Sequence, residues 1–185
     1  MKINFSLHLA VWVHYPNGKK KRVIHRRSRS YVQAFIDTIS GSFRDSAHAF
    51  RNTSGTMAGT YLNHQVDATA GDTSFGIVIG TGLTDVLPEN YALNTLMGHG
   101  NGAGQMVYQK QMWGSLISES NRRYFEIYRY FGNLYPLPQI VRECGIYAKT
   151  AGAASYYCFG RDLLGRVEVP PNGGLTIFYT NEITV

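Results

Sequence analysis

Seven of the 18 basic residues, Lys19, Lys20, Lys21, Arg22, Arg26, Arg27 and Arg29, crowd into one short stretch and form the densest charge in the chain. Without them the formal net charge falls from +6 to −1, so the positive field has a single address. Such a stretch can hold phosphate groups, an acidic neighbouring subunit or only solvent. No helix-turn-helix pattern or basic recognition helix accompanies it, which argues against sequence-specific reading of DNA. Glu126, Glu143 and Asp162 are the carboxylates that could be nominated for acid–base chemistry of the glycosidase kind, yet nothing in their spacing sets two of them across a cleft. Arg142 beside Glu143 and Arg161 beside Asp162 read instead as charged pairs at a strand end or a subunit seam, where they fix register more than they add stability.

Gly98, Gly100, Gly102 and Gly104 alternate around His99 and Asn101. That spacing matches neither the dinucleotide fingerprint nor a P-loop, since no Lys-Ser/Thr follows and no helix opens there. His99 has no His, Cys or Asp at a workable local distance, and Asp67 and Asp72 lack calcium-loop spacing. The two cysteines, Cys144 and Cys158, are too few for a disulfide framework and sit in apolar runs that suit buried free thiols, although a bridge between neighbouring strands remains open. The expectation is therefore a protein with no catalytic residues, no cofactor and no metal, and not an enzyme.

The elements that must carry these residues are mostly strands. Asn17-Gly18 after Pro16 signals a hairpin joining strands at 2–14 and 21–27, which puts the cations on a basic hairpin over 14–29. Charge on such an edge also keeps strange strands from pairing with it. Val32, Phe35, Ile36, Ile39 and Phe43 recur at helical spacing behind a Ser28 or Ser30 cap and predict one amphipathic helix near 30–43. Residues 44–73 are small and polar and read as a long loop or arm. Gln105 to Ser115 and Arg122 to Phe131 read as two long central strands. In the second, Tyr124, Tyr128 and Tyr130 share a face with Glu126 and would suit contact with another subunit, while Phe125, Ile127, Arg129 and Phe131 face the core. From Ile140 onward three further strands follow, and Pro170-Pro171-Asn172-Gly173-Gly174 turns the chain into the last one.

Eight to ten short strands with brief turns predict a single, mainly β domain over 1–185, an antiparallel β-sandwich or jelly-roll-like fold with the one helix. With 13% aromatic and 16% charged residues, the chain has the apolar surface a folded core needs. No apolar run approaches the roughly 20 residues that span a bilayer, and the first residues lack the h-region of a signal peptide, so no membrane partner is expected.

SFGIVIGTG, a Tyr-Ala-Leu segment, GHGNGAGQMVY, VRECGIYAK and FGRDLLGRVEVPPNGGLTIFYTNEITV follow one another from Ser74 to Val185. This succession resembles a group of small β-rich structural proteins encoded by tailed bacteriophages, with weaker similarity over the Ser30 to Phe43 helix. In that group a buried GIVVGTG strand, a Tyr-Ala-Leu loop and a Gly-Ala-Gly-Gln strand precede a Glu-x-Gly-Ile/Leu-Tyr strand, an Arg-Asp pair and a Val-x-Val-Pro turn. The basic hairpin lies outside the resemblance. What the resemblance implies is a non-enzymatic virion subunit, assembled in the host cytoplasm in multiple copies. The resemblance does not give the position; the basic hairpin, which would suit a lumen or an acidic ring neighbour, slightly favours tail, neck or baseplate, with capsid decoration the alternative. Its partners would be other virion proteins and copies of itself, with non-specific nucleic acid contact through the basic hairpin. A carbohydrate- or host-binding module, using Trp12 and Trp113, is the alternative of another class.

Overall fold

The structure is a computed structural model that describes residues 4–28, 31–32, 34–35, 49–59, 64–150 and 155–184. Alternation of apolar and polar residues builds its longest strands. In β1 (Asn4–His14), Leu7, Leu9, Val11 and Val13 are buried while His8, Ala10, Trp12 and His14 take the opposite face. The Pro16-Asn17-Gly18 turn, with Gly18 at φ 78° and Gly18 N–H donating to the Tyr15 carbonyl, returns the chain into β2 (Lys20–Ser28).

β1 lies between β2 and β14 (Gly174–Thr184), and β14 pairs along its whole length with β11 (Arg122–Gly132). The far edge of β11 is shared by three short segments, β8 (Gln105–Tyr108), β9 (Met112–Trp113) and β10 (Ile117–Ser118). The expected long strand at 105–115 is thus broken. Gln111 explains the first break: its side chain leaves the ladder, accepting from Ile77 N–H at 2.9 Å and donating to the Tyr128 carbonyl at 3.0 Å. β7 (Gly98–His99) completes this large sheet, running parallel to β8.

A second sheet sets β12 (Gln139–Thr150) between β13 (Tyr156–Val169) on one edge and β6 (Gly76–Gly80) with β5 (His64–Gln65) on the other. Every pairing in it is antiparallel. Both sheets feed one hydrophobic cluster, with Leu9, Phe131 and Ile177 from the large sheet and Ile79, Val141 and Ile146 from the small one. Within the expected arm at 44–73, β3 (Ala49–Arg51) and β4 (Met57–Gly59) make a hairpin; 44–48 and 60–63 lie outside the described residues.

The expected helix does not form among the described residues of 30–43. Tyr31 bridges to Gly160 and Val32 N–H donates to the Phe159 carbonyl, so the backbone is committed to the edge of β13 where a helix would begin. Among the described residues of this stretch Ala34 and Phe35 are helical, and the remaining members of the predicted stripe, Ile36, Ile39 and Phe43, lie outside the described residues. Tyr31 and Phe35 stack at 3.9 Å between ring centroids and pack on Phe5.

Candidate functional site

The charged residues inside the core are each held by several hydrogen bonds or ion pairs. Arg129, fully buried on β11, directs its five N–H donors at carbonyl oxygens: Nε to Gln109, Nη1 to Phe75 and Ile77, Nη2 to Thr69 and Asp72. Burial pulls its pKa down to about 10, which still leaves it charged at neutral pH. Its guanidinium thereby holds the 69–77 segment against the large sheet, over the Tyr108 ring.

Glu143 on β12 and Arg161 on β13 form a buried ion pair at 2.8 Å. The carboxylate also accepts from Gly82, Asn94 and Thr95 N–H groups, and the guanidinium donates to Thr84 and Asp85 carbonyls and to Asn90. One pair therefore closes the 81–95 loop from both sides. Asp162 is buried too. It accepts from Ser28 Oγ at 2.8 Å and Tyr179 O–H at 3.1 Å, and it pairs with Arg26 at 3.2 Å. The pairs are thus cross-strand or inter-sheet rather than between sequence neighbours, and Arg142 enters no ion pair among the described residues. Of the nominated carboxylates, Glu126 alone reaches the outer face; the other two are sealed in the core.

Cys144 and Cys158 are buried free thiols. Burial pushes Cys158 up to about 12 and Cys144 up as well, so both stay protonated at neutral pH. Cys144 Sγ lies 3.1 Å from the Tyr179 hydroxyl. His99 Nδ1 accepts from Tyr108 N–H, which makes it a brace for the glycine loop. No group of three or more metal-ligating side chains occurs among the described residues.

The basic run divides between two faces. A bulge between Val11 and Trp12 shifts the β1–β2 register, with Trp12 opposite Arg22 and Val11 opposite Ile24. Before the shift Lys20 and Arg22 share the outer face with His14 and Trp12; after it His25 and Arg27 share that face with Ala10 and His8. Arg26 turns the other way, to Asp162 and the Leu163 carbonyl at the edge of β13. Arg27 Nη2 donates to the Phe5 carbonyl. Lys19 sits in the turn, Lys21 is opposite Val13, and Arg29 lies outside the described residues.

On the outer face the small side chain of Ala10 leaves a hollow of about 370 Å³, walled by His8, Trp12, His25 and Phe178. Lys20 Nζ and the Arg22 guanidinium lie 5.7 and 5.6 Å from the Trp12 ring centroid. His14 is fixed by Thr176 Oγ1 at 2.8 Å, and burial followed by the Lys20 charge lowers its pKa. Glu126 faces the opposite end and accepts from Thr180 Oγ1 at 3.0 Å. The Tyr residues share this face but are partly consumed by it: Tyr128 stacks on Phe178, Tyr130 lies over Gly174 with His14 at its edge, and Arg122 covers Tyr124.

A second surface lies at the end of the large sheet. Phe5, Ile183, Leu116 and Phe125 line an apolar hollow of about 250 Å³, and Trp113 stacks beside Phe125 at 6.1 Å. Leu116 is 62% exposed, Trp113 48% and Ile183 47%, which no isolated strand end requires. Phe5 and Ile183 fall inside strands expected from sequence and Leu116 just beyond one, so no local pattern singles them out, nor Ala10, His8, His14 and Phe178. The alternation of β1 was the available signal that His8, Ala10 and His14 share a face.

The chain matches no protein-family model, no curated protein and no solved structure.

Proposed function

We propose that this chain is a non-enzymatic structural subunit of a tailed-phage particle, a β-sandwich, antiparallel but for the β7–β8 pair, that assembles in multiple copies. The observation that carries the reading is the apolar end of the large sheet, where Trp113, Leu116 and Ile183 stay exposed around Phe125. A second copy of the chain is the occupant that fits: the strip is apolar at its centre and edged by Arg123 and Glu182, the pattern of an interface core with a polar rim. The placement of Glu143 and Asp162 inside ion pairs supports a role without catalysis, because neither is available to a substrate. The motif succession from Ser74 to Val185 supports the virion setting.

Tail, neck or baseplate is favoured over capsid decoration, since Lys20 and Arg22 remain available to an acidic ring neighbour. The sedimentation of the purified chain tests the assembly role. Wild-type protein is expected to form a defined oligomer and Leu116→Asp a monomer of unchanged circular dichroism. A wild-type monomer at all concentrations would defeat the proposal.

A further inference from the structure

We infer that the hollow over Ala10 is a binding site for an acidic oligosaccharide, which goes beyond any role in assembly. Its chemistry is polar at two ends and apolar at the floor. At the β2 end stand Lys20 and Arg22, both solvent-exposed and in no ion pair among the described residues. Three strand spacings away, on β11, stands Glu126. Glu126 stands in register with His8, four residues along the strands from Trp12 and Arg22, so at about 4.8 Å per spacing and about 3.4 Å per residue the two ends are roughly 20 Å apart, the reach of about four sugar rings. Between them lie the Ala10 methyl, edges of Trp12 and Phe178, and the Thr176 and Thr180 hydroxyls.

A ligand that fills this arrangement needs an anionic group for the cations, hydroxyl donors for Glu126 and apolar C–H surface for the floor. An acidic sugar chain has all three. A nucleic acid strand carries a phosphate at every step and meets Glu126 with repulsion; Trp12 already carries two cations near its ring, which obstructs base stacking. The hollow exists because residue 10 is alanine in a row otherwise held by His8, Trp12 and His14. A larger side chain there intrudes on its floor.

The test is calorimetric titration of the full chain with oligosaccharides that carry a single galacturonate, glucuronate or N-acetylneuraminate residue at one end, each beside its neutral counterpart. Oligothymidylate and inorganic phosphate complete the set. At least one acidic oligosaccharide is expected to bind about tenfold or more tightly than its neutral counterpart, and less tightly as salt rises. Ala10→Leu and Arg22→Glu should each abolish that binding with the thermal midpoint unchanged. Silence across the acidic panel, or binding that survives both substitutions, would overturn the inference. So would tighter binding of oligothymidylate sensitive to the same substitutions, which would give the hollow to nucleic acid, or equal binding of phosphate alone, which would reduce it to a simple anion site.

Discussion

Arg129 meets five carbonyl oxygens with five donors, and no carboxylate takes part. Arg129→Lys keeps the charge but offers only three donors on a mobile stem, so at least two buried carbonyls lose their partner and the fold should be destabilised by on the order of 2–6 kcal/mol in chemical denaturation, about 1–3 for each unsatisfied acceptor. Glu143→Gln leaves Arg161 buried without its counter-charge and should cost a similar amount, about 3–5 kcal/mol, with faster hydrogen exchange confined to 81–95. The thiols give a pH prediction with a definite sign. Cys158 keeps its proton in the folded state up to about 12, whereas the unfolded thiol loses it near 9.0. The unfolded state then binds fewer protons, so stability falls as pH rises through that window. At neutral pH neither cysteine should react with a thiol reagent until the chain is unfolded, and prompt labelling of native protein would refute the buried assignment. The charged neighbours show what sequence could convey at this scale. Period-two alternation puts Arg142 and Glu143 on opposite faces of β12, so adjacency in sequence ruled out the pairing it suggested. The true partner, Arg161, is a strand away, and the carbonyls around Arg129 come from segments whose approach no local spacing encodes.

The strands that alternate cleanly were legible as elements: β1, β11 and β14 all occupy stretches whose apolar residues recur every second position. What escaped was every departure from regularity. Gln111 interrupts the strand before β11 because its amide replaces backbone bonds between two sheets, a tertiary event. The helical stripe from Val32 failed at its start for the same reason, as the edge of β13 offers Tyr31 and Val32 pairing that a helix would forfeit. Gly174 is a close-approach position that composition alone could not distinguish from the adjacent turn glycine. A methyl there would collide with the Tyr130 ring and its hydroxyl, so Gly174→Ala should lower stability by about 1–3 kcal/mol, and Tyr130→Ala in the same chain should cost less than the sum of the two single changes.

At the scale of the whole molecule, the two sheets bind each other through buried charge and present two different surfaces outward. One is cationic and aromatic over Ala10, the other apolar around Phe125. Association through the apolar end should be insensitive to salt, whereas a seam made by the basic hairpin would dissolve in it. Hydrogen exchange of the intact chain, at low and high protein concentration and at low and high salt, separates these directly. The account predicts that 112–118 and the end of β14 become protected at high concentration, equally in both salts, while 15–28 does not change. Protection at 15–28 that vanishes in salt, or no concentration dependence anywhere, would contradict it.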